Sequence, residues 1–121
     1  MRSAAQAYGK VAKETASPRE LEATLLLRAA SRLQAVSDAW DEKQGDLEAA
    51  LTFNRKLWSV FMTSVTREDN PLPAPVRQNI ANLGLFVMNH TMALTINRRH
   101  DGLGSLIRIN RELAAGLRGQ G

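Results

Sequence analysis

Two histidines, His90 and His100, are the only imidazoles in this 121-residue chain, and it has no cysteine. Without cysteine there are no disulfides, thiolate metal sites or thiol nucleophiles. The two histidines fall in different predicted segments, and neither has a neighbour at metal-ligand spacing. His90 shares a helical register with Val87 and Leu94, which predicts a hydrogen-bonded structural histidine. A general base would need a partner held within hydrogen-bond reach. No HExxH, P-loop, GxGxxG or GxSxG string occurs. The carboxylates fall on polar helix faces, where solvation accounts for them. Asn89-His90-Thr91 fits a glycosylation acceptor pattern, which has no consequence inside a cytoplasmic helix. These residues predict no enzyme activity, no cofactor and no metal.

Residue types suited to binding are more informative. Arg108, Arg111 and Arg118 share the outer face of a predicted C-terminal helix and could meet RNA phosphates or an acidic partner. No aromatics are interleaved for base stacking, which weighs against nucleic acid. The other reading is a solvated or acid-pairing face. Ala81, Leu85, Met88, Met92 and Ile96 form an apolar stripe on a second helix. Methionine adapts to varied partners, and grooves for amphipathic helices use it. The stripe is therefore either packed against a neighbouring helix or open to a partner. Leu72, between prolines, is either a core anchor or a contact presented by a rigid loop.

The elements that must position these residues are helical throughout. Period-two alternation is absent, as are internal repeats and low-complexity tracts. A short alanine-rich helix, free to fray, is expected over residues 3–14. Ser17-Pro18-Arg19-Glu20 then reads as a capping box with proline at the first helical position. The helix that follows should run from Pro18 to about Glu42, with Leu25, Leu26, Ala29, Leu33, Val36 and Trp40 inward. Gln44-Gly45-Asp46 is a stop and restart, with Asp46 as the next cap. Residues 47–67 carry Leu47, Leu51, Asn54, Trp58, Phe61 and Val65 at alternating four- and three-residue steps. Ala50, Phe53, Leu57 and Val60 widen that arc. Prolines at 71, 73 and 75 make residues 69–75 an exposed, extended loop. Over residues 76–97 one stripe holds Val76, Ile80, Leu83, Val87, His90 and Leu94, opposite the methionine stripe. Residues 103–118 should bury Leu103, Leu106, Ile107, Leu113 and Leu117. The expected fold is all-α: one compact bundle, residues 1–121, of four main helices plus a short N-terminal one.

Composition agrees with one globular domain, at 44% hydrophobic and 23% charged residues. The opening residues do not read as a secretory leader. Residues 78–97 have membrane-spanning length and no charge. They also hold Gln78, Asn79, Asn82, Asn89, His90, Thr91, Thr95 and Asn97, too many polar groups for a lone span. The expectation is a cytoplasmic protein that does not insert into membranes. The net charge of +4 is unevenly spread, with five arginines after residue 97 against Asp101 and Glu112.

Longer strings go further. Ser17-Pro18-Arg19-Glu20-Leu21-Glu22, Thr52-Phe53-Asn54-Arg55-Lys56-Leu57-Trp58 and Asp69-Asn70-Pro71-Leu72-Pro73 occur in order. Arg77-Gln78-Asn79-Ile80-Ala81-Asn82-Leu83-Gly84-Leu85-Phe86-Val87 and Ile109-Asn110-Arg111-Glu112 follow. Together they resemble the alphaproteobacterial FlaF family of flagellar biosynthesis regulators, from about Tyr8 to Leu117. The resemblance implies a flagellin-specific secretion chaperone needed for flagellin production and export. It also implies joint action with FlbT, a negative regulator of flagellin messenger RNA translation. It implies no catalysis and no cofactor, and it carries over no residue-level binding site. A chaperone for flagellin termini, disordered in the monomer and amphipathic as helices, needs an apolar groove on a stable helical frame. The alternative is an RNA-binding regulator of flagellin expression acting through the arginines, which salt would weaken steeply.

Overall fold

The computed structural model describes residues 18–119. The helix expected over residues 3–14 and the Ser17 cap lie outside the described residues. The first described helix, α1 (Pro18–Asp38), begins at the proline, whose fixed φ suits a first helical position. It turns Ala23, Leu26, Ala29, Ala30, Leu33 and Val36 to the core at three- and four-residue steps. The sequence reading carried this helix unbroken to about Glu42. Instead the backbone leaves helical geometry at Ala39, and a single-turn helix, α2 (Trp40–Lys43), follows. A 3₁₀ turn over Gln44–Asp46 leads into α3 (Leu47–Val65). Asp46 does not cap α3, because its own backbone is already helical and its side chain makes no cap hydrogen bond.

The core side of α3 holds Leu47, Ala50, Leu51, Asn54, Trp58, Phe61 and Val65. Val60, expected to widen that arc, is 67% exposed, since the neighbouring helices cover a narrower sector. The helix ends two residues before the expected boundary, and α4 (Ala74–Ile96) begins two residues early. Pro75 therefore sits in the first turn of α4 rather than in the loop, at a place where no backbone donor is needed. The remaining loop is tied down by side chains. Asn70 Nδ2 donates to the Ser64 carbonyl and hydroxyl, and Leu72 N donates to Asn70 Oδ1. Arg77 donates to the carbonyls of Leu72 and Arg67. These bonds turn Leu72 inward, where it is half-buried against the core.

A 3₁₀ turn over His100–Gly102 connects α4 to α5 (Leu103–Leu117). The four long helices run alternately up and down, as short connections require. Three of the four seams are packed: α1 against α5, α3 against α4, and α1 against α3. No strand occurs among the described residues. Trp58 is fully buried at the centre. Its Nε1 donates to Asn110 Oδ1 at 2.9 Å, and Asn110 Nδ2 donates to Asn54 Oδ1 at 2.7 Å. This chain pins α3 to α5 across the apolar interior. Asn54 is buried as expected, but only its oxygen is satisfied; its Nδ2 has no partner.

Candidate functional site

The fourth seam, between α4 and α5, is not packed along its length. At the connecting turn it is closed. A methyl group added at Gly102 would run into the Leu94 side chain. His90 Nε2 lies 2.8 Å from the Gly102 carbonyl, which fixes it as the protonated nitrogen, and Ser105 Oγ is 3.2 Å away. Phe86 stacks on the His90 ring at 5.3 Å. His90 is thus the expected hydrogen-bonded structural residue, and it is half-buried. His100 ties the same turn to the end of α1, stacking on Trp40 at 5.0 Å with Nε2 3.0 Å from Ser37 Oγ.

Toward the other end the two helices diverge and leave a groove of about 590 Å³. One wall is Val76, Ile80 and Leu83 of α4, with Leu72 and Pro73 leading into it. The facing wall is Ile109, Leu113, Gly116 and Leu117 of α5. Arg19, Asn79 and Glu112 supply its polar rim. Among the described residues a methyl group at Gly116 would meet nothing within 4 Å, so they leave this wall open. Beside the mouth, the half-buried Glu22 carboxyl is raised above the usual range by desolvation, with the Arg19 charge opposing the shift. Arg118 fixes the far end of α5. Its guanidinium holds the Glu20 carboxylate at 2.8–3.1 Å and reaches Thr24 Oγ1 at 3.2 Å. The groove's α5 wall is thereby braced against α1, and an apolar, braced cleft is the form that receives one face of an amphipathic helix.

The residues singled out from the sequence divide between three places. Leu72 lines the groove. Leu85, Met92 and Ile96 point away from the bundle and are 59%, 53% and 79% exposed. Met88 and Ala81, in the same stripe, are instead packed against the core, because α3 lies on that flank of α4. The stripe is therefore half core and half open, and its open half is convex. Arg118 leaves the set of outward arginines, since Glu20 engages it; Arg108 and Arg111 remain exposed. Val76, Leu83 and Leu113, expected in the core, line the groove instead. The only angular signal is at Leu83. Leu83 lies roughly 40° from Val87 on a helical wheel of 100° per residue, on the edge of the inward sector, whereas Val76 shares its angle with the buried Leu94 and is exposed all the same.

Fold and site define an all-helical protein whose developed concave surface is an apolar groove between two splayed helices. No helix of the described residues is long and apolar enough to cross a membrane. Among those residues no cluster of acidic or histidine side chains is arranged to hold a metal ion. A family model described as flagellar protein FlaF matches residues 4–117, and the chain belongs to that family. It is a flagellar protein. No curated protein and no solved structure matches the chain.

Proposed function

We propose that the chain is a cytoplasmic secretion chaperone that binds flagellin in the α4–α5 groove and couples flagellin export to its synthesis, with FlbT as a functional partner. The observation that carries this reading is the open seam. Among the described residues of this flagellar-family chain, an apolar cleft is left open between helices that are packed elsewhere. Flagellin termini fold as amphipathic helices, and one apolar face of such a helix is the chemistry the cleft suits. No covalent step is needed; the client gains cover for its apolar face and gives up chain entropy in exchange.

The groove is preferred to the outer Leu85/Met92/Ile96 stripe because it is concave and lets side chains of a client be enclosed, whereas the stripe offers a ridge. Gly116 supplies the test. Gly116→Phe places a ring in open space on the α5 wall, so the variant should fold with wild-type helicity while losing flagellin binding by at least tenfold. Met92→Asp should leave binding unchanged. If Met92→Asp abolishes binding and Gly116→Phe does not, the client sits on the outer stripe. If neither affects affinity, the chaperone reading loses both of its surfaces.

A further inference from the structure

We propose that the outer face of α4 is a self-association surface, on which a second copy of this chain packs its own α4 in parallel as a short two-stranded seam. This face lies apart from the groove and from any client. Gln78, Asn82, Leu85, Asn89, Met92 and Ile96 follow one another at steps of four, three, four, three and four residues, the heptad spacing of a helix that packs along another. All six are exposed, as are Phe86 and Ala93 beside them. Within the bundle α4 already buries Ile80, Gly84, Val87, Thr91 and Leu94. The heptad line is therefore a second seam, and among the described residues it stays open. Charge identifies the occupant. The outward faces of the other long helices carry Arg28 and Arg32 on α1, Arg55 and Lys56 on α3, and Arg108 and Arg111 on α5. Two-fold symmetry sets a surface against its own copy, so those faces repel in a chain of net charge +4. Residues 78–97 carry no charge. Just beyond them, Arg98 is paired with Glu48 at 3.6 Å and Arg99 with Asp101 at 4.0 Å. Of the described long helices, α4 is the one on which two copies meet without opposing like charges.

The polar members fix the register. In parallel, Leu85, Met92 and Ile96 each meet their own copy, and so do the amides of Asn82 and Asn89, each of which offers both a donor and an acceptor. Asparagine at such positions specifies two strands in register at some cost in stability. Gln78 Nε2 donates to Asn82 Oδ1 at 3.0 Å, which holds that amide on the line. An antiparallel pairing sets the amides against apolar side chains. A seam from Asn82 to Ile96 falls at the low end of specific interfaces, below about 1,200 Å² in total, so the dimer is reversible. In dilute solution a thermal melt reads the monomer, and association shows only as concentration dependence.

Sedimentation equilibrium of the full-length protein tests the surface without flagellin, so its outcome is separate from the chaperone reading. The wild type should show a monomer–dimer equilibrium. Met92→Asp and Asn89→Lys, both at exposed sites, should keep wild-type helicity and weaken dimerisation by about tenfold or more. Gly116→Phe, on the groove wall, should leave it unchanged. A wild type that stays monomeric at millimolar concentration overturns the proposal. So does a dimer that Gly116→Phe abolishes and Met92→Asp does not, which gives the groove to the second copy. The chain has no cysteine, so an introduced thiol reports the register. Leu85→Cys should cross-link to its own copy on mild oxidation about tenfold faster than Val60→Cys on the exposed face of α3, at equal protein concentration. Equal rates overturn the parallel seam.

Discussion

Asn110 is the polar residue on which the centre of the bundle turns. It accepts from Trp58 and donates to Asn54, with all three fully buried. Replacing it by leucine orphans the Trp58 N–H and the Asn54 oxygen together. Asn110→Leu should therefore cost roughly 2–6 kcal/mol in urea denaturation, since each of the two orphaned buried groups costs about 1–3 kcal/mol. Asn54→Leu removes an amide whose nitrogen is already unpaired, so it should cost less. The double variant should be more stable than the sum of the two losses predicts, because both remove the same bond. Glu22 makes a second residue-scale case. Desolvation raises its folded-state pKa above 4.5, the value it starts from. The folded state then binds the proton more readily than the unfolded state, so the ionised carboxylate lowers stability above the folded pKa. That penalty fades as pH falls and is gone below 4.5. Glu22→Gln should raise Tm at pH 7, and the difference from wild type should vanish on acidification. A variant that melts lower than wild type at pH 7 would contradict the desolvation account.

At the scale of the element, α4 shows how one helix serves two environments. Ile80, Gly84, Val87, Thr91 and Leu94 form its buried line. Met88 lies toward α3 and Met92 away from the bundle, although four residues separate them and a wheel puts them in one stripe. Their aspartate variants should therefore diverge. Met88→Asp puts a carboxylate against packed side chains and should lose about 1–3 kcal/mol. Met92→Asp changes a solvent-facing site and should stay within about 0.5 kcal/mol of wild type. Thermal melts by circular dichroism separate the two; equal losses would mean that α4 is rotated from its observed position. The end of α5 is set by similar local detail. Arg118 grips Glu20 in a partly buried, two-pronged contact, a geometry that favours arginine over lysine.

For the whole molecule, the proposed flagellin-binding role and the RNA-binding alternative differ in the salt dependence they predict. The exposed arginines on α5 number two once Arg118 is paired, Arg108 and Arg111. Two phosphate neutralisations on a single strand give a salt slope of about −1.4 in log K against log salt. An apolar groove gives almost none. Flagellin affinity should therefore change little between low and physiological salt, and Arg108→Ala/Arg111→Ala should retain it. A steep slope that disappears in the double-arginine variant would point to an electrostatic client instead. Calorimetry at two salt concentrations measures both.

Much of this architecture was written in local pattern. The proline at residue 18, the three- and four-residue steps of Leu47 through Val65, and the proline-rich break before α4 each act within a few residues. Backbone sterics and side-chain periodicity are local, so the order and approximate ends of the four long helices are legible in sequence, while the break at Ala39 is not. The burial of Asn54 followed from its place between Leu51 and Trp58. Its partner Asn110, 56 residues away, did not, because only packing brings α3 and α5 face to face. The same holds for the groove. Val76, Leu83 and Leu113 are apolar and correctly spaced for a core, and nothing in their identities says that α4 and α5 will diverge. That divergence depends on α5 docking along α1 and α4 along α3, with the seam closed at the turn where Leu94 and His90 meet Gly102. Which apolar residues become interior and which become a binding wall is a property of how four helices share their contacts, and it is decided in tertiary structure.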